Sequence, residues 1–577
     1  MANALIKELS KLRKQSVESV ENTDSFGSYK KYLHVIRQVE ADLVELLRNL
    51  RLENSQKCLV LLCGSAGDGK SHLLSYLCHE HEEHLLDGFD IHNDATESSA
   101  PEKTSTNTLT EKLAEFNDQN LNNGSSYKLV VAINLGTLTN FLAEQGEAFS
   151  QLKKYVEDQG ILSRYTTDSS SVPHPIFKHV NFSDFHIFDL TAQGTETHYL
   201  EALFAKVFAQ TEENPFYRVY KEEGENSKDA DSCPVRRNYE FFFDPEHRKA
   251  VINKLVEVVI KDKVLLSTRD ILSFIYDILV HPDYKKAKQS ETIEKGFVNQ
   301  YIDNTTPMLL YENKGVSPLM NAINRHDSMR HRSPELDQHI ISYFTSEDVE
   351  DACSKEMNNG FFDLDSEQLV SWINKDENLK REVYLYMLRL RDLNNSPISA
   401  SQNALYQSYL KCLFNQAIGN QRALKELYEA TREAVRKWDG VFDDGMICID
   451  NSNPEFWILE EVKIVPKFYK NRSLSMDVVT RFSTDLKLRF CSKHNQNDEA
   501  EISIDYSLYK LIYSIYRDGY RPNLADRNRH TDFTSFVNRI IEFGYKGETI
   551  YFKSKSDPDL ILKFTDNELD YEFSRGK

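Results

Sequence analysis

The densest chemistry in this chain lies in CLVLLCGSAGDGKSHLL, residues 58–74. Gly64, Ser65, Ala66, Gly67, Asp68, Gly69, Lys70 and Ser71 satisfy G-x-x-x-x-G-K-[ST], with His72 following. An apolar strand pattern precedes the loop and an amphipathic helix pattern follows it, the context in which this spacing cradles phosphates. Glycines let successive backbone N–H groups point inward, and the helix N-terminus adds positive potential. Lys70 would reach the β- and γ-phosphates, and the Ser71 hydroxyl would ligate Mg²⁺. The loop therefore predicts a site for ATP with Mg²⁺. Asp68 puts an anion among anion-binding groups; its side chain is expected to point outward while the backbone lines the site.

Hydrolysis needs a carboxylate to hold the metal's water shell and a second to orient the attacking water. Asp94 and Glu97 in FDIHNDATES, and Asp189 in FHIFDLTAQ, are the candidates, with Asp94 ranked first. An acidic solvated loop would look the same. Asn134 ends the apolar run KLVVAIN, where it would sense a γ-phosphate or simply cap a helix. Arg269 opens the helix pattern RDILSFIYDIL, as a lid arginine or as an ordinary surface residue.

Other signals are weaker. Cys78-His-Glu-His-Glu-Glu-His84 lacks the His-Glu-x-x-His spacing and reads as a solvated helix end. Asp450, with Glu461 and Lys463 in a following strand, resembles a Mg²⁺-dependent nuclease pattern that alternating strands also produce by chance. The run RDGYRPNLADRNRH offers Arg517, Arg521, Arg527 and Arg529 to phosphates, or to a salt-bridged surface. RHDSMRHRSPELD places Arg325, Arg330 and Arg332 beside Asp327 and Asp337. An arginine finger of a homo-oligomer and an internal salt-bridge cluster both fit it.

The elements that must position these residues follow from length and periodicity. A chain of 577 residues holds about three or four domains. Residues 1–56 read as helices, with Leu33, Ile36, Val39, Leu43 and Leu46-Leu47 at helical spacing. Residues 57–245 read as an α/β core with a mostly parallel sheet, its strands being CLVLLC, GFDIH, KLVVAINL and FHIFDL. Within it, residues 211–245 are polar and punctuated by Pro and Gly, predicting an exposed excursion. Residues 246–445 read as a helical lid and helical region, and 446–577 as an α+β domain. The fold class is thus α/β, a P-loop NTPase core with helical N-terminal and middle regions and an α+β C-terminal domain.

The net charge of −20 argues against a chain that coats DNA by itself. Residues 450–577 hold 20 Lys/Arg and 21 Asp/Glu, so nearly all the excess lies upstream. No apolar run approaches the length of a membrane span. The N-terminal MANALIKELSKLRKQ lacks a continuous apolar stretch, so a cytoplasmic location without a secretory signal is expected. The eight cysteines are scattered, without a Cys-x-x-Cys pair.

Several segments together resemble one family. YLHV (32–35), LCGSAGDGKS (62–71), IHNDATES (91–98), AINLGTLTNFL (132–142), IDYSLYKLI (504–512) and GYRPNLADRNRHTDF (519–533) are similar to DptF, also called DndF. That family is the P-loop ATPase of bacterial DNA phosphorothioation-dependent restriction systems. The resemblance implies DptG-like and DptH-like partner subunits and restriction of DNA that lacks the sulfur modification, with DNA engaged through the complex. It carries Lys70, Ser71 and the flanking glycines over as nucleotide ligands. It assigns no catalytic carboxylate, and it leaves nuclease chemistry to a partner. The leading expectation is an ATPase subunit of such a complex. A nucleotide-switch signalling ATPase with little turnover, and a nuclease acting through the C-terminal domain, are the alternatives.

Overall fold

The computed structural model describes residues 4–13, 27–52, 57–93, 105–162, 174–226, 233–284, 302–312, 316–330, 334–345, 375–393, 400–440, 446–469, 476–543, 549–557, 560–566 and 570–575. Two compact units emerge. The first comprises Met1–Asp189 with Glu196–Ala400, the second Leu190–Thr195 with Ser401–Lys577. No helix among the described residues is long and apolar enough to cross a membrane.

The first unit is built on a four-stranded parallel sheet of β1 (Cys58–Gly64), β2 (Asp90–His92), β3 (Lys128–Asn134) and β4 (Phe177–Asn181), in the order β2-β3-β1-β4. All seven β1 residues are buried, as a strand covered on both faces requires. Alternation then divides its side chains between two cores. Leu59, Leu61 and Cys63 join Leu129, Val131 and Ile133 under Leu109, Phe141 and Leu152 of helices Ser105–Lys112, Leu135–Gln145 and Ser150–Asp158. Cys58, Val60 and Leu62 join Val130 and Ala132 under Leu43 and Leu47 of helix Gln38–Leu52 and Leu73 and Leu77 of helix Lys70–His79. The result is a three-layer α/β sandwich.

Three sequence expectations are corrected here. FHIFDL does not supply the fourth parallel strand. FKHVN does, because an edge strand paired only with β1 tolerates Lys178 and His179 within its run. FHIFDL contributes only to β5 (Asp189–Thr191), which with β6 (Gly194–Glu196) belongs to a different sheet. Second, the described residues of 211–245 are no exposed excursion. Pro215 and Pro234 start helices Pro215–Asn226 and Pro234–Phe241, the first-turn position proline favours. Their Phe216, Val235 and Tyr239 are fully buried, and Tyr220 packs on Tyr239 and Phe243. Third, the helical spacing from Leu33 to Leu47 is interrupted. Helix Ser28–Leu33 stops before an irregular stretch at 34–37, and Ile36 is left exposed.

Farther along this unit, helices Pro245–Asp262, Thr306–Glu312, Pro318–Arg325 and Glu377–Leu393 enclose a buried ion network. Arg389, 3% exposed, lies 2.6 Å from both Asp327 (2% exposed) and Glu312. Tyr311 donates to Asp392 at 2.9 Å, and Lys254 pairs with the same carboxylate. Asp327 of the predicted arginine-finger segment is thereby committed to the interior, and Arg325 pairs with Asp262. Arg330 remains exposed, and Arg332 lies outside the described residues.

The second unit carries two antiparallel sheets. β7 (Met446–Asp450), β8 (Phe456–Glu461), β13 (Ile550–Ser554), β14 (Ile561–Asp566) and β15 (Tyr571–Arg575) form one, in the order β15-β14-β13-β8-β7. β9 (Ile464–Pro466), β11 (Leu486–Ser492) and β12 (Glu499–Ile504) form the other, in the order β12-β11-β9. The short β10 (Val478–Val479) pairs with β5. Helices Tyr506–Arg517, Leu524–Arg529 and Thr531–Ile541 follow β12 in the chain, which makes this unit α+β as its sequence predicts.

Arg389→Met should lower unfolding stability by about 3–5 kcal/mol, because it strands the Asp327 carboxylate in the interior. The double variant Arg389→Met/Asp327→Leu should recover most of that loss in urea denaturation. An equal loss in the double variant would contradict this account of the network.

Candidate functional site

Parallel strands bring their C-terminal ends to one edge, where helix N-termini also gather. The register aligns Gly64 of β1 with Asn134 of β3, and Cys63 with Asn181 of β4. The glycine loop leaves this edge and enters helix Lys70–His79 at Gly69, whose φ of 96° is in the left-handed region. Gly64 answers to space instead: a Cβ there would lie 2.9 Å from Phe182 Cβ and 2.9 Å from the Asp68 carboxylate.

That second contact corrects the expectation for Asp68. Its side chain turns back into the loop, and Oδ2 accepts the Ser65 N–H at 2.5 Å. Lys70, itself buried, donates from Nζ to the Ser65 carbonyl at 2.6 Å. Both polar groups of Ser65 are therefore held from within the loop. Burial pushes the Asp68 carboxyl up, against the opposing pull of the Ser65 N–H, Lys70 and Arg37.

The irregular stretch 34–37 explains its own break in helical spacing. Arg37 donates to the Asp68 carbonyl at 3.2 Å, and its guanidinium lies over the Phe182 and Tyr199 rings. His34 Nδ1 meets His72 Nε2 at 3.1 Å, with the His34 ring stacked on Tyr76 at 3.8 Å. The Glu40 carboxylate is 3.3 Å from His34 Nε2. Beside the loop opens a cavity of about 140 Å³, roughly ten times what one water needs. Gly67, Asp68 and His72 line one side, Val35 and Arg37 another, and Tyr199, Arg269 and Leu272 a third.

Several predicted site residues converge here. Ser71 Oγ donates to the Asn93 carbonyl at 3.4 Å, which brings the end of β2 to the hydroxyl expected to hold Mg²⁺. Asp94 and Glu97 follow directly in sequence and lie outside the described residues. Asn93 Oδ1 is buried without a hydrogen-bond partner among the described residues. Asn134 occupies the N-cap position of helix Leu135–Gln145, yet its side chain makes no capping bond. Arg269 is brought to the loop: a Cβ on Gly67 would lie 3.0 Å from Ser267 Oγ and 3.7 Å from Arg269 Cβ. Ser267 and Asp270 form a capping box that fixes this helix start.

Asp189 is not part of this edge. It begins β5 in a separate sheet, with His198 and Glu196 as its charged neighbours, and burial raises its carboxyl pKa. Sequence reading missed Asp184, which accepts from Asn181 Nδ2 at 3.0 Å and acts electrostatically on the Cys63 thiol. It also missed Arg37 and Tyr199, which have no motif. The Ser267-x-x-Asp270 spacing was the one local signal that a helix end would be pinned here.

The weaker signals separate. In the 78–84 segment, Glu80 pairs with Lys31 and Glu83 with Arg48. No group of metal-ligating side chains occurs among the described residues. In the second unit, Met446 faces Glu461 across β7 and β8, whereas Asp450, past a register shift, faces Ile458, three residues from Glu461 along β8, about 10 Å. Lys463 pairs with Glu461. The nuclease trio is not assembled. Arg517 pairs with Glu426 and Arg527 with Asp439, leaving Arg521 and Arg529 exposed.

No family model, curated protein or solved structure matches the chain.

Burial holds the His72 imidazole down, with His34 and Lys30 adding to it, at a pKa of about 4 against an ordinary 6.5. The unfolded chain therefore takes up this proton first, and stability falls as pH drops from 6.5 towards 4. His72→Gln should flatten the pH dependence of the urea midpoint within that window. An unchanged slope would show that His72 is not buried as described.

Proposed function

We propose that this chain binds ATP with Mg²⁺ at residues 64–72 and hydrolyses it, with the three-layer sandwich acting as a P-loop NTPase core. The observation that carries the reading is convergence. Residues chosen on sequence grounds from three separate segments (the glycine loop, Asn134 and Arg269) meet at one edge of one parallel sheet or adjoin its loop, and the Asn93 carbonyl at the end of β2 reaches Ser71 there. The phosphates would take the loop N–H groups and Lys70. The base would enter the adjoining cavity, against the stretch 34–37 and helix Thr268–Asp277. The residues fit a metal: Ser71 and Asp94 would hold Mg²⁺, which supplies neutralisation of phosphate charge. Asn93, whose carbonyl meets Ser71, keeps a buried Oδ1 without a hydrogen-bond partner among the described residues, which supports a polar occupant at that point. Asn134 would sense the terminal phosphate, and Arg269 would act from the lid.

On the resemblance set out above, we place this ATPase in a bacterial DNA phosphorothioation-dependent restriction complex. DptG-like and DptH-like subunits are its partners there, and DNA is reached through the assembly. A homo-oligomer would give exposed Arg330 a neighbouring nucleotide to meet. The second reading, a nucleotide switch with little turnover, is favoured by the loop's engagement with its own Asp68 and Lys70. Steady-state hydrolysis measured with and without partners and DNA separates the two.

Lys70→Ala should abolish nucleotide binding in a calorimetric titration, since no neighbouring cation replaces its charge-assisted contact with the phosphates. Asp94→Asn should retain binding and lose hydrolysis, whereas Asp189→Asn should retain both. Undiminished hydrolysis by Lys70→Ala would put the active site elsewhere, and loss of hydrolysis in Asp189→Asn alone would reverse the order of the carboxylates.

A further inference from the structure

We infer that Asp68 is an internal competitor of the bound phosphate, a residue that selects what the loop accepts by making free anions displace a carboxylate. The inference rests on the nucleotide-binding reading of the loop and concerns which anions that site admits.

A phosphate-binding loop works by presenting unpartnered N–H groups and a lysine to an incoming anion. Here the loop supplies an anion of its own. Asp68 Oδ2 takes the Ser65 N–H at 2.5 Å, and Lys70 Nζ is drawn to the Ser65 carbonyl at 2.6 Å. The carboxylate sits inside the turn, 2.9 Å from where a Gly64 Cβ would be. Arg37 fixes the same residue from outside, through the Asp68 carbonyl at 3.2 Å, and is itself held over Phe182 and Tyr199. The Asp68 backbone is anchored, so its side chain is the part free to rotate away.

An incoming polyphosphate must therefore displace or repel a carboxylate within a half-buried space, where charges interact more strongly than in water. That cost grows with the negative charge of the ligand. Metal-free ATP and inorganic triphosphate should suffer most, and Mg²⁺-complexed ATP, with less net charge, least. Asp68 would thus bias the loop towards the metal-complexed nucleotide and against free phosphate compounds.

The test titrates the full chain with Mg²⁺–ATP, with ATP plus a chelator, and with inorganic triphosphate. Wild type, Asp68→Asn, Asp68→Ala and Lys70→Ala are compared, each first shown to be folded by thermal melting. Asp68→Asn keeps an acceptor for the Ser65 N–H and removes the charge; Asp68→Ala removes both. Both variants should bind metal-free ATP and triphosphate about tenfold or more tightly than wild type, with a smaller gain for Mg²⁺–ATP. Equal or weaker binding by both, while Lys70→Ala loses binding, would overturn the inference and leave the nucleotide site standing. Equal gains for all three ligands would overturn the selection for the metal complex. Wild-type binding by Lys70→Ala would instead remove the nucleotide site, and the inference with it.

Discussion

The constraint on which this molecule's first unit depends is the passage from β1 into helix Lys70–His79. A strand buried on both faces must become a helix within five residues, and a helix begins with N–H groups that have no partner within the helix itself. Glycines make the turn sterically open, at Gly64 by leaving room for Phe182 and at Gly69 by adopting a positive φ. Everything else on the edge is referred to that turn. β3 and β4 run parallel on either side of β1, so Asn134 and Asn181 arrive level with it. Helix Thr268–Asp277 is pinned against Gly67 by its capping Ser267. The loop satisfies itself meanwhile through Asp68 and Lys70.

Periodicity made much of this fold legible. CLVLLC and the LVVAI of KLVVAIN are continuous apolar runs, as doubly covered strands require, and they are the two central strands of the sheet. The mixed α+β character of residues 446–577 was legible too, though β8 and β9 come from the single run FWILEEVKIV and helix Leu524–Arg529 lies within the basic run RDGYRPNLADRNRH. The failures have physical causes. FKHVN is an edge strand, so its Lys178 and His179 need no core and blur the pattern. FHIFDL is more apolar but belongs to another sheet, and Asp189 followed it there. The polar composition of 211–245 hid two helices whose few inward positions include Phe216, Val235, Asn238 and Tyr239.

The site was readable where a motif fixes spacing and unreadable where tertiary structure supplies the partner. Gly64 to Ser71 stand out as a candidate loop from their spacing alone. Arg37, His34 and Tyr199 have no shared pattern, and only the fold sets them against the loop. At residues 34–37 the helical repeat is abandoned where Arg37 reaches the Asp68 carbonyl and His34 meets His72, so tertiary contacts override the local pattern there. Asp68 shows the converse, a residue noticed at once and given the wrong orientation.

The central claim is that the cavity beside Gly67 and His72 receives the base of a nucleotide whose phosphates lie in the glycine loop. Photolabelling of the full chain with an azidoadenine analogue of ATP, followed by peptide mapping, tests it most directly. The account predicts label within residues 29–37, at His72 or Tyr199, or in helix Thr268–Asp277, competed away by ATP and absent from Lys70→Ala. Competable labelling confined to residues 401–577, or specific labelling undiminished in Lys70→Ala, would contradict it.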